Sequence, residues 1–437
     1  MDNNSGHVVL FDSISDLNDL DEVINEDMSK IISFNHDTHK LLKDKKISHE
    51  ISDAYLSEKE LRMIQKTAYS ISEWFNAEEI SKYLSYKGVN IGSLVQDELI
   101  NILVNYIKKF FELYKISKKV NCTTYVGSYA CCEIMKNFSK TITTFKNSKK
   151  EVLGQLPLDS NEIKMKIGTK DHSMKFGISK NLFKKLKGIS EKSTKLLLPK
   201  NNLAKETSQN VLIVEFNAIQ YQSFFEQMPN SHLNFLTYNR RRPTFWNFQS
   251  YNLVKQSGCF VETEDSLSDT NLKKIISNGK LETEKQISNL LSEEVFFQSF
   301  FSIHGISFWF AFKPFFQEFL RKRALEFIHE IELFKKLLEK YTFSSVLILS
   351  EVGSNERIAL QLSRQKHIPV CLLQHGAIYD TAEAYDMNVA QGVVPLKSDY
   401  YLCWGTPNDL LTFNYWQSCF DKWDQHPYSL EKDPYIA

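Results

Sequence analysis

Short apolar runs alternate with amphipathic stretches along most of this chain. HVVLFDS (residues 7–13) and KIISFN (30–35) are bare apolar segments of strand length. HDTHKLLKDKK reads as helical, ISHEIS as extended, and SEKELRMIQKTAYSISEWF (57–75) as an amphipathic helix with a Ser-x-x-Glu start. Residues 90–116 supply one or two further helices, and CTTYVGS (122–128) returns to a sheet. Strands alternating with helices predict a parallel sheet, so 1–147 reads as a Rossmann-like module with helical insertions.

The pattern changes in 148–208. EIKMKIGTKDHSMKFGIS alternates like an antiparallel hairpin, and polar PKNNLAKETSQN follows, so a small β insertion and a linker are expected. NVLIVEF (210–216) opens a second Rossmann-like module, expected over 209–405. HLNFLTYN continues it as a strand, and acidic, serine-rich VETEDSLSDTNLKK reads as a surface loop. VFFQSFFSIHGISFWFAF (295–312) carries Gln298, His304 and Gly305, which points to an apolar core helix rather than a membrane span. A helical apolar stripe fills 313–341. SSVLILSE, GSNERIALQLSRQKH, IPVCLLQHG and SDYYLCWG then read as strand, helix, strand and strand. The fold class is therefore α/β, two Rossmann-like βαβ modules with a small β insertion between them.

Composition adds limits. A chain of 437 residues exceeds one ordinary domain, and 42% apolar residues with 31 Phe supply sizeable cores. Lysine plus arginine equals aspartate plus glutamate at 53 each, so bulk charge argues for neither nucleic acid nor a membrane surface as partner. The seven cysteines show no CxxC or Cys/His metal spacing, and the chain starts MDNNSG without a secretory pattern. A reduced, cytoplasmic protein is expected, with peripheral contact at the inner membrane face through its aromatics left open.

Four constellations carry candidate chemistry. The strand VLILS stops at Ser350-Glu351, turns, and launches a helix; Glu351 would project into the crevice beyond the strand ends, with Ser354 or Asn355 capping the helix and its free amides able to hold an anion. The bland alternative is a capped turn with Glu351 ion-paired, and Glu356 and Arg357 on the helix stand open in the same way. The next strand ends in Gln374-His375-Gly376. Histidine suits proton transfer near neutral pH, a neighbouring carboxylate would orient it, and Gly376 allows a tight turn or close ligand approach. The following loop carries Tyr379, Asp380, Glu383, Tyr385 and Asp386, side chains suited to hydrogen-bonding hydroxyl groups; partly helical padding is the alternative. Arg240, Arg241 and Arg242 follow a strand and could clamp phosphate, the alternative being an ion-paired turn; Trp246 beside them reads as core.

A strand ending in glutamate, the Gly-x-Asn-Glu-Arg helix start, PVCLLQHG, an acid- and tyrosine-bearing loop and SDYYLCWG together resemble GT-B-like transferases of surface-carbohydrate (capsule polysaccharide) biosynthesis. VLIVEFNAIQYQSFF and NRRRPTFWN resemble the opening of the catalytic domain in that group, and VLFDSISDLNDLDEV and KGVNIGSLVQDEL its extra N-terminal region, so the likeness runs from about residue 7 to 405. The resemblance implies a GT-B-like fold and transfer of a nucleotide-activated sugar to a glycan acceptor, next to membrane-associated polysaccharide assembly machinery. His375 matches the group's His-Gly position as base or phosphate contact, with Glu351 as alternative base or orienter. No DxD-like dyad lies at a strand end, so no obligatory metal or other cofactor is expected. A donor domain would follow YYLCWG, but residues 406–437 show no further βαβ pattern. They read first as the start of a missing or truncated donor domain, which would leave the chain able to bind acceptor but inactive alone. The alternatives are a donor lobe supplied by a partner or two lobes formed by the two modules themselves. Two other function classes stay open: a non-enzymatic glycan- or partner-binding scaffold retaining the fold, and a nucleotide-sugar epimerase-like enzyme.

Overall fold

The structure, a computed structural model, describes residues 7–24, 30–120, 122, 124–150, 162–168, 173–179, 182, 186–188, 209–241, 243–245, 247–303, 305–376, 392 and 395–402. It is a mixed α/β protein with parallel sheets flanked by helices. The chain divides into two compact units, each discontinuous: 1–77 with 98–160 and 289–320, and 78–97 with 161–288 and 321–437. Contiguous modules of 1–147 and 209–405 were the expectation; two segments group across those limits.

The first unit is built on β1 (Val8–Phe11), β2 (Lys30–Ser33) and β3 (Glu50–Ile51). The second contributes the short antiparallel pair β4 (Ser85–Tyr86) and β5 (Val89–Asn90). Back in the first unit, β6 (Thr124–Gly127) and β7 (Thr141–Thr144) complete a parallel sheet in the order β3-β2-β1-β6-β7. Val9, Phe11, Leu20, Ile31, Leu42 and Phe145 form a core against it.

Segment 289–320 belongs to this unit because its aromatics pack there. Phe297 stacks on Trp309 with centroids 4.5 Å apart, Trp74 meets Phe316 edge-on at 5.2 Å, and Tyr106 lies 5.1 Å from Phe312. The expected single helix over 295–312 is instead a helix (Glu294–Phe300), a hairpin and the start of a long helix (Trp309–Lys340). Gly305, at φ +76°, makes the turn between the hairpin strands, whose residues pair as Ile303 with Ile306. Among the described residues no helix is long and apolar enough to cross a membrane.

The second unit holds the antiparallel pair β8 (Glu162–Gly168) and β9 (Ser173–Ser179), the hairpin expected from its alternation. Its main sheet comprises β10 (Asn210–Val214), β11 (Asn234–Tyr238) and β12 (Phe260–Glu262). With β13 and β14 taken by the first unit's hairpin (Ser302–Ile303, Ile306–Ser307), the sheet continues as β15 (Ser345–Ile348), β16 (Val370–Leu373) and β17 (Tyr400–Leu402). All neighbours are parallel, in the order β12-β11-β10-β15-β16-β17. Ile213, Phe216, Phe225, Val254 and Val261 anchor a core beneath it. Segment 78–97 joins this unit through Tyr86, whose hydroxyl donates to buried Glu332 at 2.7 Å, and through the Asn90 amide, which donates to Gln361 at 2.9 Å.

The acidic, serine-rich segment expected as a loop is instead β12 followed by the helices Glu264–Leu267 and Thr270–Leu290. Its Thr, Ser and Asp are caps: Thr263 and Ser266 form a capping box, and Asp269 accepts the Leu272 amide at 2.7 Å. Residues that favour loops also start helices, and here they start helices.

Candidate functional site

In the second unit the chain runs outward from β10 to β11 and β12, then crosses back to place β15 on the other side of β10. The strand order therefore reverses between β10 and β15. The carboxyl ends of the strands there form the edge at which open α/β sheets bind ligands. Glu215 follows β10, Asn239 to Arg241 follow β11, Glu351 follows β15, and Gln374-His375-Gly376 follow β16.

Glu215 is the centre of this edge. Its backbone adopts φ +61°, a left-handed conformation that costs about 1–3 kcal/mol in a non-glycine residue and persists only where the surroundings enforce it. What enforces it is the buried carboxylate. Oε1 accepts the Arg240 amide at 2.7 Å, the Arg241 amide at 2.9 Å and Asn355 Nδ2 at 2.8 Å. One oxygen thus ties together the ends of β10 and β11 and the helix that follows β15. Oε2 is buried without a hydrogen bond; the Arg241 guanidinium lies 3.8 Å away.

The arginines are committed to carboxylates. Arg240 grips Glu330 through Nε (2.6 Å) and Nη2 (3.0 Å) and reaches Glu264 at 2.7 Å. His329 joins that cluster 3.0 Å from Glu264, and hydrogen bonds to Glu264 and Glu330 raise its pKa to about 9. The same bond to His329, with Arg240 adding to it, lowers Glu264 to about 2. Burial works against ionisation of Glu330, but the charges of Arg240 and His329 overcome it and lower its pKa to about 2. Arg241, 46% exposed, bonds Glu356, which is buried. The ion-paired turn is what forms here, and a phosphate would have to compete with these carboxylates for Arg240 and Arg241. Arg242, like Trp246, lies outside the described residues.

Ser354 and Asn355 do not cap their helix. The N-cap is Gly353 with no side-chain cap, because the Asn355 side chain turns into the core to meet Glu215. Glu356 supplies the negative charge of the first turn and folds back over Gly353, where any Cβ would collide with its carboxylate. Arg357 donates from Nε to the Glu351 carbonyl at 2.6 Å and from Nη1 to the Ser93 carbonyl. Asp97 belongs to the same unit; burial raises its pKa, opposed by the charges of Arg357 and Arg241.

Glu351 and His375 end neighbouring strands, since β15 and β16 pair in parallel with Ile348 opposite Leu372. Continuing that register sets Glu351 opposite His375. Yet the Glu351 carboxylate turns to the chain entering β17: it accepts the amides of Leu396 (2.9 Å), Lys397 (2.9 Å) and Ser398 (2.6 Å). Both oxygens accept backbone amides, so the group holds residues 396–398 in place. Gly392 completes that seat at φ +64°, where a Cβ would press on Ser350 Oγ at 2.9 Å and the Glu351 amide at 3.0 Å.

Gln374 is buried and braces the turn, with Nε2 donating to the Gly376 carbonyl at 3.1 Å and its own amide to Leu402 at 2.9 Å. His375 is half-buried on that braced turn. Burial lowers its pKa, so the ring is neutral at pH 7, and its buried Nδ1 has no hydrogen-bond partner among the described residues. Tyr379, Asp380, Glu383, Tyr385 and Asp386 lie outside the described residues. Also among the described residues, no group of three His, Cys, Asp or Glu side chains is arranged to hold a metal ion.

Sequence reasoning missed Glu215, although the signal used for Glu351, a lone glutamate ending a bare apolar strand, stands equally in NVLIVEF.

No family model matches the chain, and no curated protein matches it. Among solved structures it is similar to one described as the adenylation, ketoreductase and pseudo Asub multidomain structure of a keto acid-selecting NRPS module, at 11% identity and a TM-score of 0.19. That match covers 84% of this chain and 34% of the other, so the chain spans about a third of its neighbour's length. A likeness at this score carries no argument about either fold or function.

Proposed function

We propose that this chain is a GT-B-like glycosyltransferase of surface polysaccharide biosynthesis, with its acceptor-side site at the carboxyl edge of the second unit's sheet. The observation that carries the reading is His375: a neutral imidazole on a rigid turn at a strand end, with burial holding its pKa below the ordinary value. In the reaction an acceptor hydroxyl gives its proton to the imidazole as its oxygen bonds the anomeric carbon. The bond from that carbon to the donor's phosphate oxygen breaks, and the nucleotide leaves with the electron pair. Gln374 and Gly376 shape the turn, Glu351 holds residues 396–398, which lead into the neighbouring strand, and Glu215 with Asn355 fixes the strand ends. The donor is a nucleotide sugar and the acceptor a glycan, and no metal is assigned a role. Tyr379, Asp380, Glu383 and Tyr385 are proposed to meet acceptor hydroxyls.

A second reading, a glycan-binding scaffold without turnover, is favoured by one observation: both Glu351 oxygens accept backbone amides, so among the described residues Glu351 does not pair with His375. A screen of nucleotide sugars with glycan acceptors separates the two. Transfer that falls at least about a hundredfold in His375→Asn supports the transferase; glycan binding with no transfer from any donor supports the scaffold.

A further inference from the structure

Away from the strand edges, Glu112 of the helix Gln96–Lys119 buries its carboxyl group, with the side chain 2% exposed. Its Oε1 is buried without a hydrogen bond among the described residues, and Lys108 Nζ lies 3.4 Å from it. Lys108 sits closer to another acid, at 2.5 Å from Oδ1 of Asp53, whose side chain is 60% exposed. Asp53 and Ser52 belong to the 3-10 turn Ser52–Tyr55 that follows β3, and both side chains come within hydrogen-bond reach of the Glu112 carboxyl group. Two carboxylates cannot hydrogen-bond each other, whereas a carboxylic acid and a carboxylate can. The contact between Glu112 and Asp53 therefore needs a proton.

We propose that Glu112 and Asp53 form a proton-operated latch, closed in acid and released in alkali, that fastens the turn Ser52–Tyr55 to the helix Gln96–Lys119. Protonated Glu112 donates to the Asp53 carboxylate, which keeps its pairing with Lys108. Loss of that proton to solvent leaves a buried carboxylate facing a second one, with a single lysine beside both, and the turn lifts to bring Glu112 to water. The surrounding charges leave Glu112 as the moving part. Burial raises its pKa to about 8, with Lys108 opposing and Asp53 adding to the rise. Lys108 holds Asp53 below the ordinary carboxylate range. Against the effect of burial, Glu112 and Asp53 raise Lys108, and Asp12 raises Lys109. Burial raises the Cys131 thiol and the Tyr55 hydroxyl. Of these groups, only Glu112 changes charge between pH 4.5 and 8. A carboxyl group whose folded pKa is raised contributes fully below its ordinary pKa near 4.5, and that contribution is lost as pH rises through 8. The latch thus moves toward open by about tenfold for each pH unit in that window and levels off above it.

Hydrogen–deuterium exchange of the Leu56 amide, which donates to the Asp53 carbonyl at 3.1 Å, reads the latch in the full chain. With the intrinsic pH dependence of exchange removed, wild-type protection from pH 5 to 9 falls about tenfold per unit up to about pH 8 and is level beyond. Glu112→Gln keeps a donor toward Asp53 and cannot ionise, so its protection stays flat at the wild type's acidic value. Lys108→Met removes the cation that favours ionised Glu112, so its fall continues past pH 8; this variant decides the matter should Glu112→Gln fail to fold. Wild-type protection that is flat with pH overturns the proposal, as does a fall in Lys108→Met that ends where the wild type's does. A fall that persists unchanged in Glu112→Gln overturns it too, and assigns the titration to His39 and His49, which are hydrogen-bonded to each other at 2.9 Å just before β3.

Discussion

The two main sheets share the strand pattern at which order reverses, yet they treat that edge differently. In the first unit Asp12 follows β1, and its carboxylate is paired with the Lys109 ammonium, both largely buried. Its amide donates to Ser128 Oγ at 3.0 Å beyond β6, and its carbonyl accepts Asn35 Nδ2 at 2.5 Å beyond β2. One acid meets one cation and the edge is closed. In the second unit Glu215 occupies the equivalent place after β10 but bonds neutral amides, and the nearest cation is half-exposed and shared with Glu356. Its backbone is strained where Asp12 shows no positive φ. Strain and an incompletely bonded buried carboxylate thus distinguish the second edge from the first, which is why the proposed site is placed there.

The sharpest way to break this comparison is to neutralise each acid. Asp12→Asn leaves a buried ammonium without its counter-charge and is expected to cost about 3–5 kcal/mol in denaturant unfolding. Glu215→Gln keeps an oxygen for the Arg240 and Arg241 amides, and the solvated Arg241 adapts, so about 1 kcal/mol is expected. Equal losses would erase the distinction between the edges. Glu351→Ala strands the amides of Leu396, Lys397 and Ser398 and is expected to lose about 2–4 kcal/mol, whereas a free carboxylate at that position would cost almost nothing to remove.

An effect as modest as that of Glu215→Gln is expected on pH dependence. His329 has a folded pKa raised to about 9, so its contribution is complete below its ordinary pKa near 6.5 and fades as pH rises through 9. Glu264 and Glu330, held at about 2, contribute above their ordinary range near 4.5 and lose that contribution as pH falls through 2. Partial exposure of His329 limits its share to about 1–2 kcal/mol. His329→Gln should flatten stability between pH 6.5 and 9 in urea titrations, and an unchanged slope would remove the histidine from the cluster.

The strands and their charged ends were legible because a bare apolar run admits few other structures, and a polar residue closing it has to sit at an edge. Glu351 and His375 were found that way, and Glu215 obeys the same rule. The fate of the arginines was not legible, since Glu264 and Glu330 come from distant helices and nothing local announces a partner. Nor were the discontinuous units: the phenylalanines of 289–320 announce burial, not against which Trp or Tyr. The partners of Glu351 were not legible for a related reason, because backbone amides from 396–398 leave no mark in sequence.

The central claim is tested most directly by the pH dependence of sugar transfer in the wild type and His375→Asn. The wild type should show an acidic limb below pH 6.5, set by the lowered His375 pKa, and His375→Asn should lose at least about a hundredfold in kcat with its melting temperature unchanged. Wild-type turnover in His375→Asn, with the acidic limb intact, would contradict it.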